Sequence, residues 1–103
     1  MELAVADICQ AELILARRWT PSILMVMLEA GRPLRYTELA RSVPGLSRRL
    51  LTERLTELEE AGLVVRQVGT GRPVTVIYTL SDYGASLRAT FRELRTWIKQ
   101  QPA

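Results

Sequence analysis

The sequence predicts a small, mostly helical α+β fold in a single domain over residues 1–103, and three observations predict it. Helical spacing with well-marked start and stop residues fills the chain up to Gly62. The period then changes to two over Leu63–Val68 and Val74–Leu80, both rich in β-branched residues. Helical spacing returns after Ser81, where Leu87, Phe91, Leu94 and Ile98 follow one another at intervals that keep them on one side. The length suits one domain, and a 48% hydrophobic content supplies its core.

In order, the first helix is expected from about Ala4 to Arg17, with Ile8, Leu13 and Leu15 apolar. The second starts with Thr20 as N-cap and Pro21 in the first turn, where a missing N–H costs nothing. Its run Ile23-Leu24-Met25-Val26-Met27-Leu28 is apolar on every side, so it belongs in the middle of a core. Gly31 ends it as a left-handed cap. Arg32-Pro33-Leu34-Arg35 reads as a short extended piece. Tyr36 to about Ser42 makes a short helix with Tyr36, Leu39 and Ala40 on one side. Pro44-Gly45 turns the chain. Ser47 caps a helix that runs to about Ala61, and Gly62 stops it. The hairpin over 63–80 turns at Gly69-Thr70-Gly71-Arg72-Pro73. Ser81 caps a last helix, expected over 82–99. Two helices joined by a tight turn and followed by a hairpin spell a winged helix-turn-helix with a two-stranded wing and a C-terminal helix to spare.

The helix over 47–61 carries the functional signal. Leu51, Leu55 and Leu58 share an inward face. The other side holds Arg49, Thr52, Glu53 and Thr56, with Arg48 at its border. In a helix-turn-helix, the N-terminal part of the second helix meets base edges in the major groove. Arginine pairs with both guanine acceptors, glutamate accepts from cytosine, and threonine touches a thymine methyl. Ser47 and the helix N-terminus favour a nearby phosphate. Arg72 at the wing tip reaches the flanking groove, while Arg35, Thr37 and Arg41 hold backbone phosphates. Arg54 lies nearer the apolar side and reads as structural, paired with a carboxylate. Glu57, Glu59 and Glu60 gather at the far end, a gradient that suits entry by the N-terminus. Read alone, each arginine could equally be an ordinary solvated side chain.

Composition narrows the function classes. The net charge of +3 suits an anionic partner such as double-stranded DNA without requiring one. There is no histidine, and neither a Gly-rich phosphate loop nor a metal-ligand cluster appears, so no catalytic residue, metal or cofactor is expected. Cys9 is the single cysteine, which excludes an intramolecular disulfide. No apolar run reaches the length of a membrane span and no signal peptide opens the chain, so the expected compartment is the cytoplasm.

From Arg18-Trp19-Thr20 through Leu28, and then over Pro33-Leu34-Arg35-Tyr36-Thr37-Glu38-Leu39, the chain resembles the HxlR-type winged helix-turn-helix regulators, a MarR-like group. Pro44-Gly45-Leu46-Ser47, Leu51 to Glu59, Val76-Ile77-Tyr78-Thr79-Leu80, Gly84 and Leu87 extend the likeness from roughly Ile8 to Ile98. The resemblance implies a homodimer built from the first and last helices, with two reading helices facing a palindromic operator. Ile8, Leu87, Phe91, Leu94, Trp97 and Ile98 are its expected interface, and the last helix has more apolar surface than one small core needs. Several members of this group sense electrophiles or oxidants through an N-terminal cysteine, usually followed by proline. Counted back from Trp19, that position falls near Val5 or Ala6. Cys9 lies about one turn later and precedes Gln10, so it stands as a candidate redox sensor beside the alternative of a structural cysteine. A small-molecule effector is not identified by any residue. The expectation is a sequence-specific transcriptional regulator and not an enzyme; the alternative is a winged helix that contacts protein only.

Overall fold

The helix with no polar face takes the centre. In the computed structural model, which describes residues 4, 5, 11, 12, 14 and 16–102, α1 spans Thr20–Ala30 and buries Ile23, Leu24, Met27 and Leu28. Around it follow β1 (Leu34–Arg35), α2 (Tyr36–Ser42), α3 (Arg48–Glu60), β2 (Val64–Val68), β3 (Val76–Leu80), α4 (Asp82–Ala85) and α5 (Arg88–Lys99). Of the expected first helix, Val5, Ala11, Glu12 and Ile14 are helical; Ile8 and Cys9 lie outside the described residues.

The start of α1 differs from expectation. Thr20 is already helical and is buried, and the cap position falls on Trp19 in a left-handed conformation, φ 79°. A non-glycine residue there costs energy and needs support. The support comes from α3: Arg54 Nε donates to Arg18 O at 2.9 Å, fixing the turn one residue ahead of Trp19. The other stops behave as read. Gly31 adopts φ 61° and its N–H bonds Met27 O, while Gly62 adopts φ 78° after α3.

The extended piece after α1 is a third strand. Leu34 and Arg35 pair antiparallel with Tyr78 and Ile77, so the sheet order is β1-β3-β2. Burial of Leu34 drives it, since that side chain is 3% exposed. Pairing also covers the edge of β3 that a lone hairpin would leave open. The wing proper, β2 with β3, keeps the alternating register Val64↔Leu80 to Val68↔Val76.

The expected single helix over 82–99 is two helices. Ser81 Oγ accepts from Gly84 N at 3.0 Å and donates to Gly62 O at 2.7 Å, and Ser81 N donates to Leu63 O at 3.0 Å. These bonds pin α4 against the start of β2. Contact is so close that a Cβ on Gly84 would stand 2.2 Å from Leu63 O. A tightened turn, with Leu87 N bonded to Gly84 O, then releases α5 in its own direction. Phe91 of α5 enters the domain's own core at 3% exposure. That corrects its assignment to a dimer face: its position on the wheel matches the side of α5 that meets Met25 and Leu28 of α1. Leu87 packs partly against the same core, whereas Trp97 and Ile98 stay 64% and 51% exposed.

Candidate nucleic-acid interface

α3 is held from behind so that its front can stay free. Ser47 Oγ accepts from Leu50 N at 3.1 Å and so sets the first turn. Leu51, Leu55 and Leu58 are buried, each contributing roughly 1.5–3 kcal/mol. Arg54 is structural, as its position on the wheel suggests: its side chain is 13% exposed, and besides Arg18 O it binds Glu57 Oε1 at 2.9 Å. Arg17 pairs with the other oxygen of Glu57. The back of α3 is thereby tied to the turn that precedes α1.

The front presents Arg48, Arg49, Thr52, Glu53 and Thr56, all exposed. Arg49 Nε meets Glu53 Oε1 at 3.2 Å in a solvated pair. Exposed pairs one turn apart are worth only a few tenths of a kcal/mol, so both groups can exchange this contact for a base edge at little cost. Thr56 Oγ1 donates back to Thr52 O at 2.9 Å. Ser47 is exposed at the head of the helix, with one lone pair of its hydroxyl used by the cap.

Tyr36 belongs to this site, although it reads in sequence only as the apolar side of a short helix. Its hydroxyl donates to Arg48 O at 2.8 Å and lies 3.0 Å from Thr52 Oγ1. The Arg48 guanidinium sits 5.3 Å from the centre of its ring, a cation–π contact. The signal available in sequence was the tyrosine itself, because a half-buried phenol needs a partner for its O–H. A groove gathers Tyr36 with Arg48, Arg49, Thr52 and Glu53 of α3, Arg66 of β2, and Val76 and Tyr78 of β3. Arg66 thus joins the front of α3, a neighbourhood that only the strand register creates.

The remaining expected contacts stand apart from this groove. Arg72 is exposed at the wing tip beside Pro73. Arg35 and Thr37 are exposed at the start of α2, one turn from Arg41. Between them Glu38 Oε1 accepts from Arg35 N at 2.9 Å, the back half of a capping box, and Glu38 Oε2 accepts from Arg32 at 2.8 Å. The Arg32 hydrogen bond, joined by the Arg35 N–H, lowers the Glu38 carboxyl to about 2. Arg32 is paired with Glu38, whereas the Arg35 guanidinium makes no salt bridge among the described residues and acts on Glu38 only through its charge. No group of metal-ligating side chains and no helix long and apolar enough to cross a membrane occurs among the described residues.

Comparison with known proteins agrees with this architecture. The HxlR-like helix-turn-helix family matches residues 14–103. The HTH-type transcriptional regulator YodB of Bacillus subtilis (strain 168) is 40% identical over 87 residues, covering 84% of this chain and 76% of that protein. The reduced form of YodB superposes with a TM-score of 0.85 at 36% identity over 96% of this chain and 94% of that one. Diamide-treated YodB gives 0.78 at 35% identity over 99% and 100%. A family match over most of the chain, a relative at 40% identity and the same fold at a TM-score of 0.85 leave one assignment: this chain belongs to the HxlR-like helix-turn-helix family of transcriptional regulators.

Proposed function

We propose that the chain binds DNA as a homodimer and reads a palindromic operator through α3. The observation that carries this is the front of α3. Its four N-terminal reading residues are exposed, weakly paired or prepositioned, and backed by a buried anchor that frees them from structural duty. Arg48 and Arg49 serve guanine, Glu53 a cytosine amino group, and Thr52 and Thr56 the neighbouring bases. Arg35, Thr37 and Arg72 hold phosphates on either side. The apolar residues Leu94, Trp97 and Ile98 of α5 supply the dimer contact, with Leu87 at its border; Ile8, expected in the same contact, lies outside the described residues. The test is a binding titration on operator and scrambled duplexes. Saturable, palindrome-dependent binding is expected, with Arg49→Ala reducing discrimination more than Arg72→Ala does. Equal affinity for every duplex overturns the reading, and no affinity even at low salt, where phosphate contacts are strongest, assigns the same face to a protein partner.

The signal input is a separate matter. YodB is known both reduced and diamide-treated. In this chain a thiol reagent has one target, Cys9, and a single thiol can form a disulfide only with another chain or a small thiol. A Cys9-based switch therefore requires that diamide release wild type from its operator and leave Cys9→Ser bound. Equal release of both removes the switch.

A further inference from the structure

Proton accounting at Tyr36 assigns a chemical role to Thr52. The phenol has one proton, and Arg48 O, a pure acceptor 2.8 Å away, takes it. The contact of 3.0 Å between Tyr36 Oη and Thr52 Oγ1 can then be a hydrogen bond in one direction only: Thr52 donates and Tyr36 accepts. Thr52 has one proton as well, and it is spent inside the protein. Its hydroxyl therefore cannot donate to the N7 or O6 of a purine or to the O4 of thymine. What Thr52 keeps is its methyl group and the lone pairs of its hydroxyl; the major-groove edge of thymine has no donor for those lone pairs and offers a methyl to the methyl. Thr52 is exposed one turn beyond Arg48, on the front of α3.

We propose that Thr52 is a specificity-determining residue that recognises a thymine 5-methyl group by apolar contact, and that Tyr36 is the positioning residue that enforces this choice by holding the Thr52 hydroxyl. Tyr36 also carries the Arg48 guanidinium over its ring, so one side chain orients two adjacent readers. The inference rests on the reading of α3 as the DNA-reading helix.

The test replaces each thymine of a selected operator by uracil in turn, which removes only the 5-methyl group, and measures binding of wild type, Thr52→Val, Thr52→Ser and Tyr36→Phe. Wild type is expected to lose about fourfold at one thymine per half-site, the worth of roughly one buried methyl. Thr52→Val, which keeps the methyl and lacks the hydroxyl, retains that loss and the wild-type site preference. Thr52→Ser, which keeps the hydroxyl and lacks the methyl, binds thymine and uracil alike. Tyr36→Phe frees the Thr52 proton and widens the preference at that base pair to partners with an acceptor. A shifted preference in Thr52→Val, with thymine selectivity intact in Thr52→Ser, shows that the hydroxyl reads the base and overturns the proposal while leaving α3 as the reading helix. Failure of wild type to prefer any sequence overturns the reading of α3, and this inference with it.

Discussion

Two arginines of one helix, five residues apart, do opposite work. Arg54 is nearly enclosed and holds both a backbone carbonyl and a carboxylate. Replacing it with alanine leaves Arg18 O without its charged donor while Glu57 keeps Arg17, so the expected cost is that of about one charged hydrogen bond, roughly 1.5–3 kcal/mol. Urea unfolding reads this directly. Arg49→Ala should leave the same curve within about 0.5 kcal/mol, because its pair with Glu53 is solvated; on the proposed reading its effect falls on DNA binding. Glu38 makes a third residue-level case. Its carboxyl lies near 2 in the folded chain and about 4.3 when unfolded. The unfolded state therefore binds the proton first, and the stabilisation is present above roughly pH 4.3 and lost as pH falls toward 2. Glu38→Gln should flatten that part of the stability profile. The role of Arg54 was legible from its place on the wheel. That of Tyr36 was not, because its meaning depends on how α2 crosses α3.

Elements set by local chemistry were legible, and those set by distant contact were not. Ser47, Gly31 and Gly62 mark their helix ends by capping geometry that needs no tertiary information. β1 exists because β3 lies beside it, and the break between α4 and α5 exists because Gly84 meets the backbone of Leu63. Gly84→Ala tests the second point. The added carbon would meet a backbone carbonyl that cannot rotate away, so a loss of about 1–3 kcal/mol is expected, the usual cost of overpacking, seen as a lowered Tm. The same helix pair explains why the spacing of Leu87, Phe91, Leu94 and Ile98 misled. A continuous seam on the wheel is here divided between two duties. Phe91→Ala should cost about 3–5 kcal/mol whatever the protein concentration, because it opens a cavity in the protomer core. Trp97→Lys should leave the protomer folded and shift the dimer equilibrium instead, as sedimentation would show.

At the scale of the whole molecule, the charge and the exposed apolar face constrain one another. A net charge of +3 gives one protomer only a mild overall attraction for DNA. On the proposed reading one α3 spans only one half-site, and specific binding comes from two copies whose reading helices stand one helical turn of DNA apart, about 34–36 Å. The face of α5 with Leu94, Trp97 and Ile98 is the surface on which a second copy would fix that distance. A definite expectation follows for the spacing of half-sites. Inserting five base pairs between them rotates one half-site to the far side of the duplex, so wild-type affinity should fall to that of an isolated half-site. Trp97→Lys, already monomeric at binding concentrations, should show the weak affinity on both spacings and no further loss. Titration of wild type and Trp97→Lys on the two duplexes separates the terms, for the difference on the native spacing is the coupling supplied by the dimer. Indifference of wild type to the insertion would mean that the two reading helices are not rigidly joined, and the apolar face of α5 would then need a different partner.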